Sequence, residues 1–225
     1  MRRLLALAGA ACIVALWSCA DDEETPPVDT LNEVDLPAVR AILDANDLTG
    51  IAPLQVATPD AGYTRVIELN LRPSATGGAT IDTIPPDIGR LTGLTTLFLD
   101  NNGIRSLPPQ IGALRGLTYL SATYNSLQSL PAELMTLPAL EDLMLSHNQI
   151  TAIPSTVGGL SRLQALRIDY NLLQGLPYQV TALNALVEFD FTHNNVCDLD
   201  TNTQQWLINR NLITVDWKTA QDGCP

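Results

Sequence analysis

Between residues 94 and 206 the apolar positions recur with a period of 23 residues. Leu94, Leu117, Leu140, Leu163 and Leu186 open successive units, and Leu97, Leu120, Leu143, Leu166 and Phe189 follow three positions later. Leu99, Ala122, Leu145, Ile168 and Phe191 come next, two positions further on, with Phe98, Ser121, Met144, Arg167 and Asp190 between. Apolar columns two positions apart predict a short strand with one face inward. In the second half of each unit Pro108, Pro131, Pro154 and Pro177 precede another apolar position and then Leu114, Leu137, Leu160 and Leu183. Proline there suits an extended or 3₁₀ segment better than a full α-helix. One such unit is too small to bury its own leucines, whereas stacked units bury one another's. The pattern therefore predicts an α/β solenoid with one continuous parallel sheet. An earlier unit begins at Val66, with Leu69 and Leu71 in the strand columns. That makes six strands over residues 66–196. Five extra residues fall in the stretch RPSATGGAT before Ile81 restores the register, and they are expected to form a tolerated loop.

Asn102, Asn125, Asn148, Asn171 and Asn194 occupy one fixed place after each strand. An amide side chain both donates and accepts, so it can satisfy backbone groups that the bend leaves inside the core. The combined pattern, LxxLxLxxNxLxxLPxxIGxL, resembles the leucine-rich repeat family. The resemblance implies a short horseshoe with its sheet on the concave side, an asparagine ladder through these five residues, and a role in binding other molecules.

Both ends of a solenoid expose core. Residues 36–48, LPAVRAILDANDL, have helical apolar spacing and are expected to lie in an N-terminal helical cap over residues 36–65. At the other end Trp206 falls in a leucine column but the proline signal is gone, and DTNTQQWLINRN reads as a short helix in a C-terminal cap over residues 197–225. Cys197 and Cys224 flank that cap. In an exported protein the two are expected to pair, which would contribute about 3.5 kcal/mol in the chain-entropy treatment.

Export is expected from the N-terminus. Arg2 and Arg3 precede an apolar run from Leu4 to Trp17 that is too short to span a bilayer, so residues 1–18 read as a signal peptide. The sequence Leu16-Trp17-Ser18-Cys19 resembles a bacterial lipobox, although Trp17 is atypical there. The resemblance implies cleavage before Cys19 and its lipidation, making the chain a membrane-anchored lipoprotein. The other reading is an ordinary secretory signal with an incidental cysteine. The acidic, proline-containing stretch that follows completes a segment, residues 19–35, expected to be a disordered tether.

Charge narrows the partner class. The 225 residues carry a formal charge of −12, and Lys218 is the single lysine, so no basic stripe exists to hold nucleic acid. No cofactor or metal is expected. His147 and His193 lie two rungs apart, about 10 Å, too far to share an ion. No Ser-His-Asp set, Cys-His set or phosphate loop is visible, and catalysis is not expected.

Period two gives the positions that face outward. Phe98, Tyr119 and Met144 are apolar where the repeat requires nothing apolar, and Tyr124, Arg167 and Tyr170 lie nearby. Aromatic side chains and arginine are frequent interface anchors. These six residues are the candidate partner-binding patch, for a protein before a glycan. The tyrosines and histidines just before the asparagines also admit a simpler reading, packing alone. A sheet of this width offers about 350 Å², against about 800 Å² per partner in a standard interface, so loops or avidity would have to contribute. The alternative function is a structural envelope component that engages peptidoglycan or another copy of itself.

Overall fold

The computed structural model describes residues 35–62 and 64–212. The expected signal peptide, Cys19, most of the acidic segment and Cys224 lie outside the described residues.

Among the described residues, chain order begins with helix α1 (Asp35–Asp44), a single turn α2 (Pro53–Val56) and strand β1 (Ala57–Pro59). Six strands follow: β2 (Val66–Asn70), β3 (Thr96–Phe98), β4 (Tyr119–Ser121), β5 (Asp142–Met144), β6 (Ala165–Arg167) and β7 (Glu188–Asp190). Helix α3 (Thr201–Asn209) comes last. The sheet order is β1 to β7 without crossover, and β2 to β7 are all parallel. Leu69, Leu97, Leu120, Leu143, Leu166 and Phe189 stand in a single row of paired positions. All six are buried.

Each return path carries a five-residue 3₁₀ turn, starting at Pro86, Pro109, Ala132, Ser155 and Tyr178. The preceding residue, Pro85, Pro108, Pro131, Pro154 or Pro177, is extended, and its carbonyl accepts the first bond of the turn. Proline suits this place because its fixed φ is already correct and no donor is lost. Glycine or another small residue usually follows the buried aliphatic in the turn. A Cβ on Gly89 or Gly112 would come within 3.0 Å of the next coil. Met135 breaks the pattern, is buried, and stands in the glycine column. On the next coil, a Cβ on Gly159 would sit 2.6 Å from the Met135 carbonyl oxygen.

Three features depart from the sequence expectations. A three-residue strand, β1, pairs antiparallel with β2, so the region before Val66 is not only helical. Asp35, grouped by composition with the acidic tether, begins α1 and is fully buried. Its carboxylate accepts from Arg65 Nε at 3.0 Å, Arg65 Nη2 at 3.1 Å and the Val66 amide at 2.8 Å. A charge in the interior is tolerable only with such complete pairing. In α3, Leu207 takes the fully buried place and Trp206 is half-buried beside it. Asp200 caps this helix, accepting from the Asn202 and Thr203 amides.

The insertion after Leu71 is a compact turn. The Ala75 and Thr76 amides bond back to the Arg72 carbonyl, Gly77 and Gly78 supply positive φ, and Thr76 is buried.

Candidate functional site

The pairing register determines what the solvent-facing side of the sheet presents. One row of paired positions reads Glu68, Thr96, Tyr119, Asp142, Ala165, Glu188, and the next reads Asn70, Phe98, Ser121, Met144, Arg167, Asp190. The asparagine row fixes where each strand stops. Asn148 Nδ2 donates to the carbonyls of Ala122 (2.9 Å) and Leu145 (3.0 Å), and its Oδ1 accepts from the Leu127 amide at 2.9 Å. Asn171 and Asn194 repeat the arrangement one and two coils on. With a further donation to the carbonyl two residues before, each amide ties four backbone groups of two coils at the bend, which holds the outward positions in line.

Of the six sequence-predicted patch residues, Phe98 and Tyr119 come into direct contact, with ring centroids 5.3 Å apart and planes tilted by 55°. Met144 lies in the row of Phe98 but two strands away, with Ser121 between. Arg167 is engaged, its Nε donating to Glu188 on the next strand. That hydrogen bond, partly offset by burial, pushes the guanidinium pKa further up.

Tyr124 and Tyr170 belong to a different arrangement. The rings of Tyr124, His147, Tyr170 and His193 form one stack, with centroids 4.2, 4.3 and 4.1 Å apart and planes within 10° of parallel. Every residue of this column, and Asn101 at its head, has φ between 52° and 60°. The backbone ladder continues through these positions: Tyr124 N donates to the Ser146 carbonyl, His147 N to Asp169, and Tyr170 N to Thr192. Identical left-handed geometry on successive rungs throws each ring the same way, and strand spacing brings their faces together. The faces of the inner rings are used up by one another, so a partner meets edges and hydroxyl groups; Tyr124 is 55% exposed and Tyr170 44%.

Arg72, Asp100, Ser121 and Thr123 make a cluster that the sequence reading did not assemble. Asp100 is buried and accepts from Arg72 Nε (2.6 Å), from Ser121 Oγ, and from the Thr123 amide (3.1 Å) and hydroxyl (2.8 Å). Burial works to raise the Asp100 pKa, but the bonds from Ser121, Arg72 and Thr123 outweigh it and hold the carboxyl below its usual value. Once anchored, the Arg72 guanidinium lies 3.7 Å over the Phe98 ring, an attractive arrangement for a cation on an aromatic face. Diagonal neighbours on adjacent strands were the available signal, since Arg72 follows Asn70, the partner of Phe98, by two residues.

Among the described residues no group of three His, Cys, Asp or Glu side chains is placed to hold a metal ion. The interior void beside Leu143, Leu166 and Met135 is lined by apolar side chains and has no room for a water molecule.

Residues 92–150 and 138–196 match the leucine rich repeat family model. Solved structures agree on the fold. The chain is 25% identical to a chain of the PEPR1–AtPEP1 crystal structure, with a TM-score of 0.62 over 71% of this chain and 24% of that one. It is also 25% identical to a chain of the BIR3–SERK2 complex from Arabidopsis thaliana, with a TM-score of 0.53 over 65% of this chain and 77% of that one. The chain thus spans about a quarter of the length of the first of these. None of the curated proteins matches it. The architecture is a leucine-rich-repeat solenoid, a fold that commonly serves as a non-enzymatic scaffold for protein binding.

Proposed function

We propose that this chain is a non-enzymatic protein-binding module anchored at a bacterial cell envelope, which recognises a protein partner through the concave sheet face and adjoining loops. The observation that carries the reading is the contact between Phe98 and Tyr119, two outward-facing aromatic residues that the repeat does not require. Arg72 buttresses the pair from one side. Met144 and Arg167 extend the same face toward β6, and the edges of Tyr124 and Tyr170 border it. The two solved structures named above are complexes, PEPR1 with AtPEP1 and BIR3 with SERK2, and both offer the same kind of sheet. The small area favours a modest affinity, raised by avidity when several copies share a membrane.

Anchoring through lipidated Cys19, the tether after it and a Cys197–Cys224 disulfide complete the proposal. Incorporation of labelled fatty acid that disappears in Cys19→Ala supports the anchor, and its persistence removes it. Crosslinking on intact cells, followed by binding measurements with Phe98→Ala and Tyr119→Ala, tests the recognition. Loss of most affinity in either variant supports the face. Unchanged affinity in both, with unfolding curves like those of the parent chain, eliminates it.

A further inference from the structure

The charge on the sheet face is unevenly distributed. Among the described residues its carboxylates are Glu68, Asp142, Asp169, Glu188 and Asp190, besides the buried Asp100, and its guanidiniums are Arg72 and Arg167. Both guanidiniums are already neutralised on the face, Arg72 by Asp100 and Arg167 by Glu188. Glu68, Asp142, Asp169 and Asp190 enter no ion pair among the described residues. Asp169 and Asp190 accept hydroxyl hydrogen bonds from Ser146 and Thr192, which leave their charge in place. Most of the uncompensated charge therefore lies on the β5–β7 half.

Ala165 stands between Asp142 and Glu188 in the register. Its side chain ends at a methyl group and is buried, so the row is low there between side chains that start two strand spacings, about 10 Å, apart. Asp142 borders this low place with Glu141 adjoining, and on the other side Glu188 is held by Arg167. Burial, and then the charges of Glu141 and Glu188, push the Asp142 carboxyl above its usual pKa. At the other end of the face stand the paired rings of Phe98 and Tyr119, with the Arg72 cation beside them.

We infer that this face takes an extended, basic segment of a partner protein, with an aromatic or large aliphatic side chain on Phe98 and Tyr119 and a lysine or arginine over Ala165 against Asp142. The inference rests on the binding role proposed above and names the chemistry of its ligand. Tyr119 is two strands from Ala165 and Phe98 is three, about 10 and 14 Å. Side chains four residues apart on an extended segment are about 13 Å apart on one side. The apolar anchor and the basic residue accordingly stand at i and i+4. Arg72 repels a second cation at the aromatic end, which sets the polarity of the segment. Exposed charges of this kind act mainly on encounter and on salt dependence.

The test is selection from a random peptide library on the full chain, in parallel with Asp142→Asn and Phe98→Ala/Tyr119→Ala chains. The expected peptides carry an aromatic or large aliphatic residue four positions from Lys or Arg. Synthesised, they bind the carboxylate-substituted chain about tenfold more weakly, and binding to the parent chain weakens as salt is raised. Selected peptides that need Phe98 and Tyr119 but are neutral or acidic, or whose binding ignores salt, overturn the inference and leave the binding role standing. No selected peptide, or peptides indifferent both to Asp142→Asn and to the Phe98→Ala/Tyr119→Ala pair, overturns both. The charge of the selected peptides and their salt dependence are read on the parent chain, so a misfolded variant does not obscure the result.

Discussion

His147 lies flat against Tyr124, with ring centroids 4.2 Å apart and planes 10° from parallel, and its opposite face meets Tyr170 at 4.3 Å. Each of these residues holds a left-handed backbone conformation, which costs a non-glycine residue about 1–2 kcal/mol. Stacking of aromatic pairs contributes about 0.5–1.5 kcal/mol per pair, enough to offset that cost. The column thus maintains, by mutual contact, a backbone geometry that none of its residues favours alone.

Replacing His147 separates the two effects. His147→Ala removes both stacking contacts and keeps the unfavourable φ, so it destabilises the fold by roughly 2 kcal/mol. His147→Gly removes the same contacts but relieves the backbone, so it costs about 1 kcal/mol less than the alanine variant. Urea unfolding of the two variants measures the difference; equal midpoints would show that the backbone is unstrained.

Asp35 anchors the N-terminal end. Asp35→Ala leaves the Val66 amide without a partner and strips Arg65 of its carboxylate, a loss of roughly 3 kcal/mol. Arg65→Ala strands the buried carboxylate and is at least as damaging. The double variant is less damaging than the sum of the two, and a thermodynamic cycle on thermal unfolding measures the coupling.

Met135 and Gly159 form a matched pair on adjacent coils. Gly159→Ala drives a methyl group to 2.6 Å from the Met135 carbonyl oxygen, and the rearrangement costs about 1–3 kcal/mol. Gly116→Ala is the control, since its added Cβ meets the Leu94 carbonyl oxygen at an ordinary 3.6 Å. Chemical denaturation distinguishes the two, with the Gly116 variant expected near the parent.

Acid acts through Asp100. The carboxyl pKa in the folded chain lies below its ordinary value of 3.8. Its contribution to stability is therefore complete above that ordinary value and is lost as pH falls through the folded pKa. Asp100→Asn destabilises at neutral pH, and the gap between it and the parent narrows below about pH 4. Melting temperatures of both chains across the acid range check this; a gap independent of pH would remove Asp100 as the titrating group.

Much of the sheet was readable from spacing alone. The leucine columns fixed which strands pair and in which register, because a slip of one residue would expose every leucine. The outward rows of the sheet followed from the same alternation. Strand β1 was not readable: Ala57–Pro59 is three residues long, without alternation, and pairs only because β2 offers a free edge. Nor was the burial of Asp35, which looks like its acidic neighbours until Arg65, thirty residues away, encloses it.

By itself the sequence determined the repeat, its parallel register and the faces of its strands, since these depend on periodic burial that any single unit displays. Only the tertiary structure decided what the outward side chains do to one another. Arg72 rests on Phe98 because Asp100 holds it there; Arg167 is taken by Glu188; and four rings stack because five consecutive bends share one left-handed geometry. These contacts join residues of neighbouring coils more than twenty positions apart, at angles set by the backbone, and linear spacing does not encode those angles.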